Sequence, residues 1–279
     1  MDAYSDIAYG VADRIATITL NRPEARNGYT LRMSNELADA LDRADRDDGV
    51  RVVILTGAGQ DFCVGADLTA GFDVTEAEKE GWQEPAGRCS KRIFLMNKPV
   101  IAAIRGAAVG VGSTAILPCD FRLAATDARF GFVFSRRGIY PEGASAWFLP
   151  RLVGLGRALD WMVSGRVFDA HEAHDAGLVT RLYSPEEVLP AAYALAGELI
   201  ATTAPVSTAV IRQMLFRLSP LESPLPVHAV DSRLIAGIAQ SPDAVEGVLS
   251  FLQRRPPEFT GTVNKDLPEW LPWVSETGS

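Results

Sequence analysis

VIAAIRGAAVGVGSTAILPCD, residues 100–120, decides the fold. Its opening VIAAI, an apolar run set between Pro99 and Arg105-Gly106, predicts a strand over 100–104 that is covered on both faces. Gly106, Gly110 and Gly112 then allow tight bends and close backbone approach, and a helix of small residues is expected over 113–117. A strand that passes through glycines into a helix start aims unpaired N–H groups at whatever lies in front of it, which suits an anionic oxygen.

The same layout recurs towards the N-terminus. VVILT, 52–56, predicts a second buried strand that runs straight into the glycine loop GAGQDFCVGADL. Two such units predict an α/β protein with its site on the loops, the two loops facing each other. Ahead of them, 7–9 and 14–20 read as a strand pair around a turn at 10–13. Thr30 reads as the N-cap of a helix to about 47, carried by Leu31, Leu37, Leu41 and Ala44. Residues 75–96 mix charges, Gly81 and Pro85 with Trp82, Ile93, Phe94 and Met96, and read as two helical pieces with a mobile joint.

Towards the C-terminus, strands are expected at 121–124 and 129–134. The aromatic segment RRGIYPEGASAWFLPRLVG follows, and then helices over 157–164, 170–176, 186–203, 206–217, 227–238 and 242–255. The tail, 260–279, reads as extended or disordered.

With 279 residues, 47% of them hydrophobic and 22% charged, the chain has ordinary globular composition. A net charge of −8 argues against a nucleic-acid binder, which needs a basic face. The N-terminus lacks the basic start and apolar core of a secretory signal, and no run approaches the ~18 apolar residues of a membrane span. A cytoplasmic protein with no membrane contact is the expectation. Cys63, Cys89 and Cys119 are far apart and suggest buried thiols rather than a disulfide or metal site.

Several patterns point to chemistry that their context does not support. GVGSTA at 110–115 matches the dinucleotide form GxGxxA, but it is mid-chain and no acid ends the next strand. His171-Glu172-Ala173-His174 lacks the i, i+4 histidine spacing of a zinc helix, so a polar helix surface is expected. His228 stands alone, and Ser145, without the second glycine of a nucleophile elbow, fits better as an N-cap. Glu142 is different: it lies between Pro141 and Gly143 with Tyr140, Trp147 and Phe148 close in sequence, surroundings that raise a carboxyl pKa and make a base for neutral pH. Capping of the following helix from its first turn is the alternative use of Glu142.

Taken in order, NRPEARNGYT, VVILTGAGQDFCVGADL, KPVIAAIRGAAVGVGS, CDFRLAATDARFGF, RRGIYPEG, LPRLVG, AGLV and FLQRRPPEF, collinear from about residue 7 to 259, resemble the crotonase (enoyl-CoA hydratase/isomerase) superfamily. The resemblance implies an α/β spiral of ββα units over 1–200 and a C-terminal helical region, 201–259, for trimerisation and CoA contacts. A homotrimer or hexamer is the implied assembly.

It also implies an acyl-CoA substrate whose thioester oxygen sits between the N–H groups of Ala66 and Val111. Contacts to CoA or substrate are implied at Arg26, Cys63, Gly65, Asp67, Leu68, Gly110, Phe134 and Arg254, with Arg255 beside the last. CoA is part of the substrate, and neither a further cofactor nor a metal is expected. Typical hydratases carry two Glu residues at the positions held here by Thr114 and Phe134. PEG at 141–143 is similar instead to the peroxisomal-type 3,2-enoyl-CoA isomerases, in which one Glu moves the proton. Isomerisation through Glu142 is therefore the expected reaction. Hydration by a single carboxylate, and acyl-CoA binding without catalysis, are the alternatives.

Overall fold

The computed structural model describes residues 4–67, 81–238 and 241–274. Among them the chain runs β1 (Ile7–Ala12), β2 (Ile15–Leu20), α1 (Leu31–Arg46), β3 (Val52–Gly57), α2 (Pro85–Leu95), β4 (Val100–Ile104), β5 (Ala107–Val109) and α3 (Val111–Thr114). It continues through β6 (Phe121–Ala125), β7 (Arg129–Gly131), α4 (Ser145–Val153), α5 (Leu155–Ser164), β8 (Val167–Asp169), α6 (Ala170–Asp175) and β9 (Arg181–Tyr183). It ends with α7 (Val188–Thr202), α8 (Pro205–Leu218), α9 (Leu225–Gly237), α10 (Pro242–Gln253) and α11 (Val263–Asp266).

β1 and β2 form a hairpin closed by Asp13 and Arg14, both left-handed at φ 50° and 65° as a two-residue type I′ turn requires. The large sheet has the order β1-β2-β3-β4-β6-β9, and every pair after the hairpin is parallel. A small sheet has the order β5-β7-β8. Chain order and sheet order agree, and at β4-β5-α3 and β6-β7-α4 a large-sheet strand is followed by a small-sheet strand and then a helix. This is the ββα spiral the resemblance implies.

β3 as far as Leu55 and the whole of β4 are apolar because both of their faces are covered. Val53, Leu55, Val100 and Ala102 join the main core under α1 and α2. The alternate residues Val52, Ile54, Ile101 and Ala103 pack with Val188, Ala192, Leu195 and Ala196 of α7. α1 is capped as expected, the Thr30 hydroxyl accepting from the Met33 N–H at 2.9 Å. Met33, Leu37, Ala40, Leu41 and Ala44 form its buried face. Leu31 is exposed, because it lies about 120° round the helix from Leu37.

The structure departs from expectation in several places, the first being the hairpin turn, which lies at 13–14 rather than 10–13 and leaves β1 running on to Ala12. α3 is a single turn at Val111–Thr114 rather than a helix over 113–117. The strand expected over 129–134 ends at Gly131, where the chain leaves the small sheet. β5, β8 and β9 are too short to show a period. The tail, expected to be extended or disordered, forms α11 and buries Leu271 and Trp273 against Val210 of α8, while Arg233 stacks on Trp270 at 4.1 Å. Its anchors are single aromatics in a groove, which leave no repeat to read.

α8 is fastened to the spiral by Arg212. Its guanidinium donates to Asp120 at 2.9 Å and to the carbonyls of Ile93 and Met96 at the end of α2. No single helix among the described residues is long and apolar enough to cross a membrane.

Candidate active site

The two glycine loops meet backbone to backbone. On the first, the Tyr29 N–H donates to the Gly65 carbonyl at 2.8 Å and the Asp67 N–H to the Tyr29 carbonyl at 2.9 Å. In parallel pairing, alternate N–H groups face opposite edges, so the Ala66 N–H between them points away from Tyr29. On the second, Val111 opens α3, where first-turn N–H groups have no acceptor within the helix.

Gly65, at φ 110°, holds a backbone conformation that L side chains rarely adopt, and a Cβ there would press on the Val109 carbonyl oxygen at 3.3 Å. A Cβ on Gly110 would lie 3.5 Å from the Gly65 Cα. Ala66 and Val111 each follow one member of this touching pair, so their amides flank one contact. The second loop is braced from behind, the Ser113 hydroxyl donating to the Ala108 carbonyl and accepting from the Gly131 N–H.

Glu142 stands at the turn before α4. Gly143 and Ala144 are both left-handed, at φ 63° and 53°, and the Glu142 carbonyl accepts from the Ser145 N–H and hydroxyl. Ser145 is thus the first residue of α4 rather than its N-cap, and Glu142 does not cap the helix. Its side chain turns to the second loop, where the Thr114 hydroxyl donates to Oε1 at 2.6 Å. Oε2 is buried and has no hydrogen-bond partner among the described residues. Burial raises the carboxyl from 4.5 to about 7, and the charge of Glu84 adds to the rise, while the Thr114 hydrogen bond opposes it. Cys63 is close enough that the Glu142 charge helps burial push its thiol up to about 12.

Two further polar residues reach this turn. Glu84, immediately before α2, accepts the Gly143 N–H on Oε1 at 2.7 Å. The Ser90 hydroxyl of α2 is buried without a partner among the described residues, and a Cβ on Gly143 would lie 3.1 Å from it. Neither was legible in the sequence. Pro85 marks Glu84 as the start of a helix, but the contact joins residues 59 apart.

The remaining candidates are more dispersed. Arg26 is ion-paired with Asp61 on the first loop at 2.7 Å, which holds the Asp61 carboxyl below its usual range, and Asp67 pairs with Arg22 at 2.9 Å. Cys63 is buried beneath Gly112, and Phe134 is buried in the main core. Arg254 is exposed at the C-cap of α10, and no hydrogen bond or ion pair among the described residues ties it to the loops; its neighbour Arg255 pairs with Glu246. Leu68 and the 75–80 part of the segment read as two helical pieces lie outside the described residues. Glu172 serves structure, bonded to Arg166, Arg157 and the Trp161 indole. Among the described residues no group of three or more His, Cys, Asp and Glu is arranged to hold a metal.

A family model described as enoyl-CoA hydratase/isomerase matches residues 10–262. An enoyl-CoA hydratase of Alternaria alternata is 38% identical over 259 residues, 92% of this chain and 87% of the relative. The 1,2-epoxyphenylacetyl-CoA isomerase of Escherichia coli K12 is 35% identical over 256 residues, 88% and 95% of the two chains. The crystal structure of an enoyl-CoA hydratase from Mycobacterium tuberculosis H37Rv superposes with a TM-score of 0.83 at 34% identity, covering 92% of this chain and 99% of that one.

Proposed function

The chain belongs to the enoyl-CoA hydratase/isomerase family and is a crotonase-fold enzyme, and on that premise we propose that it converts 3-enoyl-CoA to 2-enoyl-CoA with Glu142 as the one proton carrier. The observation that supports this reading is the state of the Glu142 carboxylate. One oxygen is held by Thr114 and the other is buried and unpartnered among the described residues, beside the contact of the two loops. A carboxyl raised to about 7 is half ionised near neutrality, which suits a group that must both take and return a proton.

Oε2 takes a proton from C2; the C2–H electrons form a C1–C2 double bond as the carbonyl π pair moves onto the thioester oxygen, and the C3–C4 double bond is kept, giving a dienolate. Negative charge in the dienolate rests largely on the thioester oxygen, where the amides of Ala66 and Val111 would each contribute about 3 kcal/mol. Glu142 then delivers the proton to C4: the C3–C4 π pair forms the new C–H bond, the C1–C2 pair shifts to C2–C3, and the oxygen's electrons re-form the thioester carbonyl. Hydration calls for a second acid, and the two positions where the resemblance implies one hold Thr114, engaged with Glu142, and Phe134, which is buried. CoA enters as part of the substrate, so the proposed chemistry needs no separate cofactor.

Glu142→Gln assayed with 3-enoyl and 2-enoyl thioesters tests the reading. Isomerisation is expected to fall by about 10²–10⁴-fold. Unchanged turnover removes Glu142 from the mechanism. Wild-type hydration of 2-enoyl-CoA faster than isomerisation favours the hydratase reading, and tight CoA binding without turnover of either favours a non-catalytic acyl-CoA binder.

We also propose self-association as a homotrimer or hexamer through the C-terminal helices. Leu225, Ile235, Val248, Phe251 and Leu252 of α9 and α10 are all more than half exposed, a large apolar surface for one chain to leave in water. Light scattering on the purified protein tests this, and a monomer at micromolar concentration refutes it. Three free, buried thiols fit a reducing compartment, and the cytoplasm is the proposed location.

A further inference from the structure

We propose that Glu84 is a positioning residue, whose carboxylate fastens the Gly143 amide and so fixes the turn that aims Glu142 at the glycine loops. The inference rests on the reading of Glu142 as the base. The turn needs an outside hold. Ala144 occupies the left-handed region at φ 53°, which costs an L-residue about 1–2 kcal/mol. Within the turn, Ser145 satisfies the Glu142 carbonyl, but the Gly143 N–H is taken by Glu84. A hydrogen bond from an amide to an ionised carboxylate is roughly twice as strong as one between neutral groups.

Glu84 is itself held in register with the first glycine loop. The carbonyl of the next residue, Pro85, accepts from the Ser34 hydroxyl at 2.7 Å and from the Tyr29 hydroxyl at 3.4 Å. The Tyr29 backbone in turn carries Gly65 and Asp67 on either side of Ala66. A continuous set of bonds therefore runs from the Ala66 strand through Tyr29, Pro85 and Glu84 to Gly143 and Glu142. The base and one proposed oxyanion donor are set against each other by this brace.

Glu84 also acts by charge. Around Glu142 among the described residues are the Thr114 hydroxyl of α3, the Cys63 thiol of the first loop and the Glu84 carboxylate, with the Ser90 hydroxyl of α2 against the adjoining Gly143. The Glu84 charge disfavours a second negative charge on Glu142 and adds to the effect of burial. Glu84→Gln keeps an acceptor for the Gly143 amide and removes the charge, whereas Glu84→Ala removes both.

The test measures kcat and KM of the full chain against pH with a 3-enoyl-CoA for wild type, Glu84→Gln, Glu84→Ala and Glu142→Gln. Glu84→Gln is expected to keep kcat within about threefold at pH 8 while its acid limb moves to lower pH by about half a unit or more. Glu84→Ala is expected to lose about tenfold or more in kcat with KM changed less than about twofold. Wild-type kcat in Glu84→Ala overturns the proposal, as does an equal loss in both Glu84 variants with an unmoved acid limb. Should Glu84→Ala fail to fold by circular dichroism, the limb of Glu84→Gln decides alone. Activity retained in Glu142→Gln identifies a failure of the underlying reading instead.

Discussion

Gly112→Ala probes the loop contact on which the proposed oxyanion site depends. A Cβ at 112 would overlap the Cys63 carbonyl oxygen and lie 3.0 Å from both the carbonyl carbon and the Cβ of Cys63. The obstacle is backbone, and the Cys63 carbonyl also accepts from the Val109 N–H at 3.0 Å, so no flexible side chain can yield. Restoring ordinary contact parts the loops by about 1 Å. Overpacking of this kind costs about 1–3 kcal/mol, a drop of roughly 2–10 °C in Tm for a chain of this size. Because Val111 precedes Gly112, its amide moves with the loop, and a misplacement of about 1 Å lowers kcat/KM by about 10²-fold. Turnover of a 3-enoyl-CoA and thermal melts, read together, separate the two effects. Gly197→Ala is the control: it lies in α7 with nothing within 4 Å of a new Cβ and is expected to stabilise by about 0.5–1 kcal/mol. Wild-type kcat/KM in Gly112→Ala would refute the role given to the Val111 amide, and a wild-type Tm as well would refute the contact itself.

Three further outcomes are expected. Burial raises the Glu142 carboxyl from 4.5 to about 7, so between these values the unfolded chain releases a proton that the folded one keeps, and stability falls as pH rises through the window. In urea denaturation, Glu142→Gln should therefore gain on wild type by about 3 kcal/mol between pH 4.5 and pH 8, and a gap that does not change with pH refutes the assignment. Thr114→Val removes the hydrogen bond that lowers the Glu142 pKa, so the acid limb of activity should move to higher pH, with turnover at pH 7 falling more than at pH 9. Arg212→Ala leaves the Asp120 carboxylate without its cation and the Ile93 carbonyl without its Arg212 donor, while Gln213 still serves the Phe94 and Met96 carbonyls, and should cost about 3–5 kcal/mol by denaturant titration.

The central strands of the large sheet were legible because burial on both faces writes an unbroken apolar run, as in VIAAI, and the C-terminal helices because Pro and Gly punctuate them; β9 at its edge was not. Of the small sheet only β7 was expected, since three residues such as Ala107–Val109 carry no period and are held by neighbours distant in the chain. Within the site, Glu142 could be singled out by its apolar surroundings and the two loops by their glycines. The Thr114 hydroxyl on Glu142, Glu84 on Gly143 and the buried Ser90 hydroxyl join residues 28 or more apart and follow only from how the spiral closes.

By itself, the order of amino acids determined the α/β class, the family resemblance and which carboxylate to suspect, because alternation, glycine placement and local apolarity are properties of neighbours along a chain. Only the tertiary structure decided the state of that carboxylate. Desolvation, the Thr114 hydroxyl and the nearby charge of Glu84 reach Glu142 through space, and their balance depends on distances that no run of residues specifies.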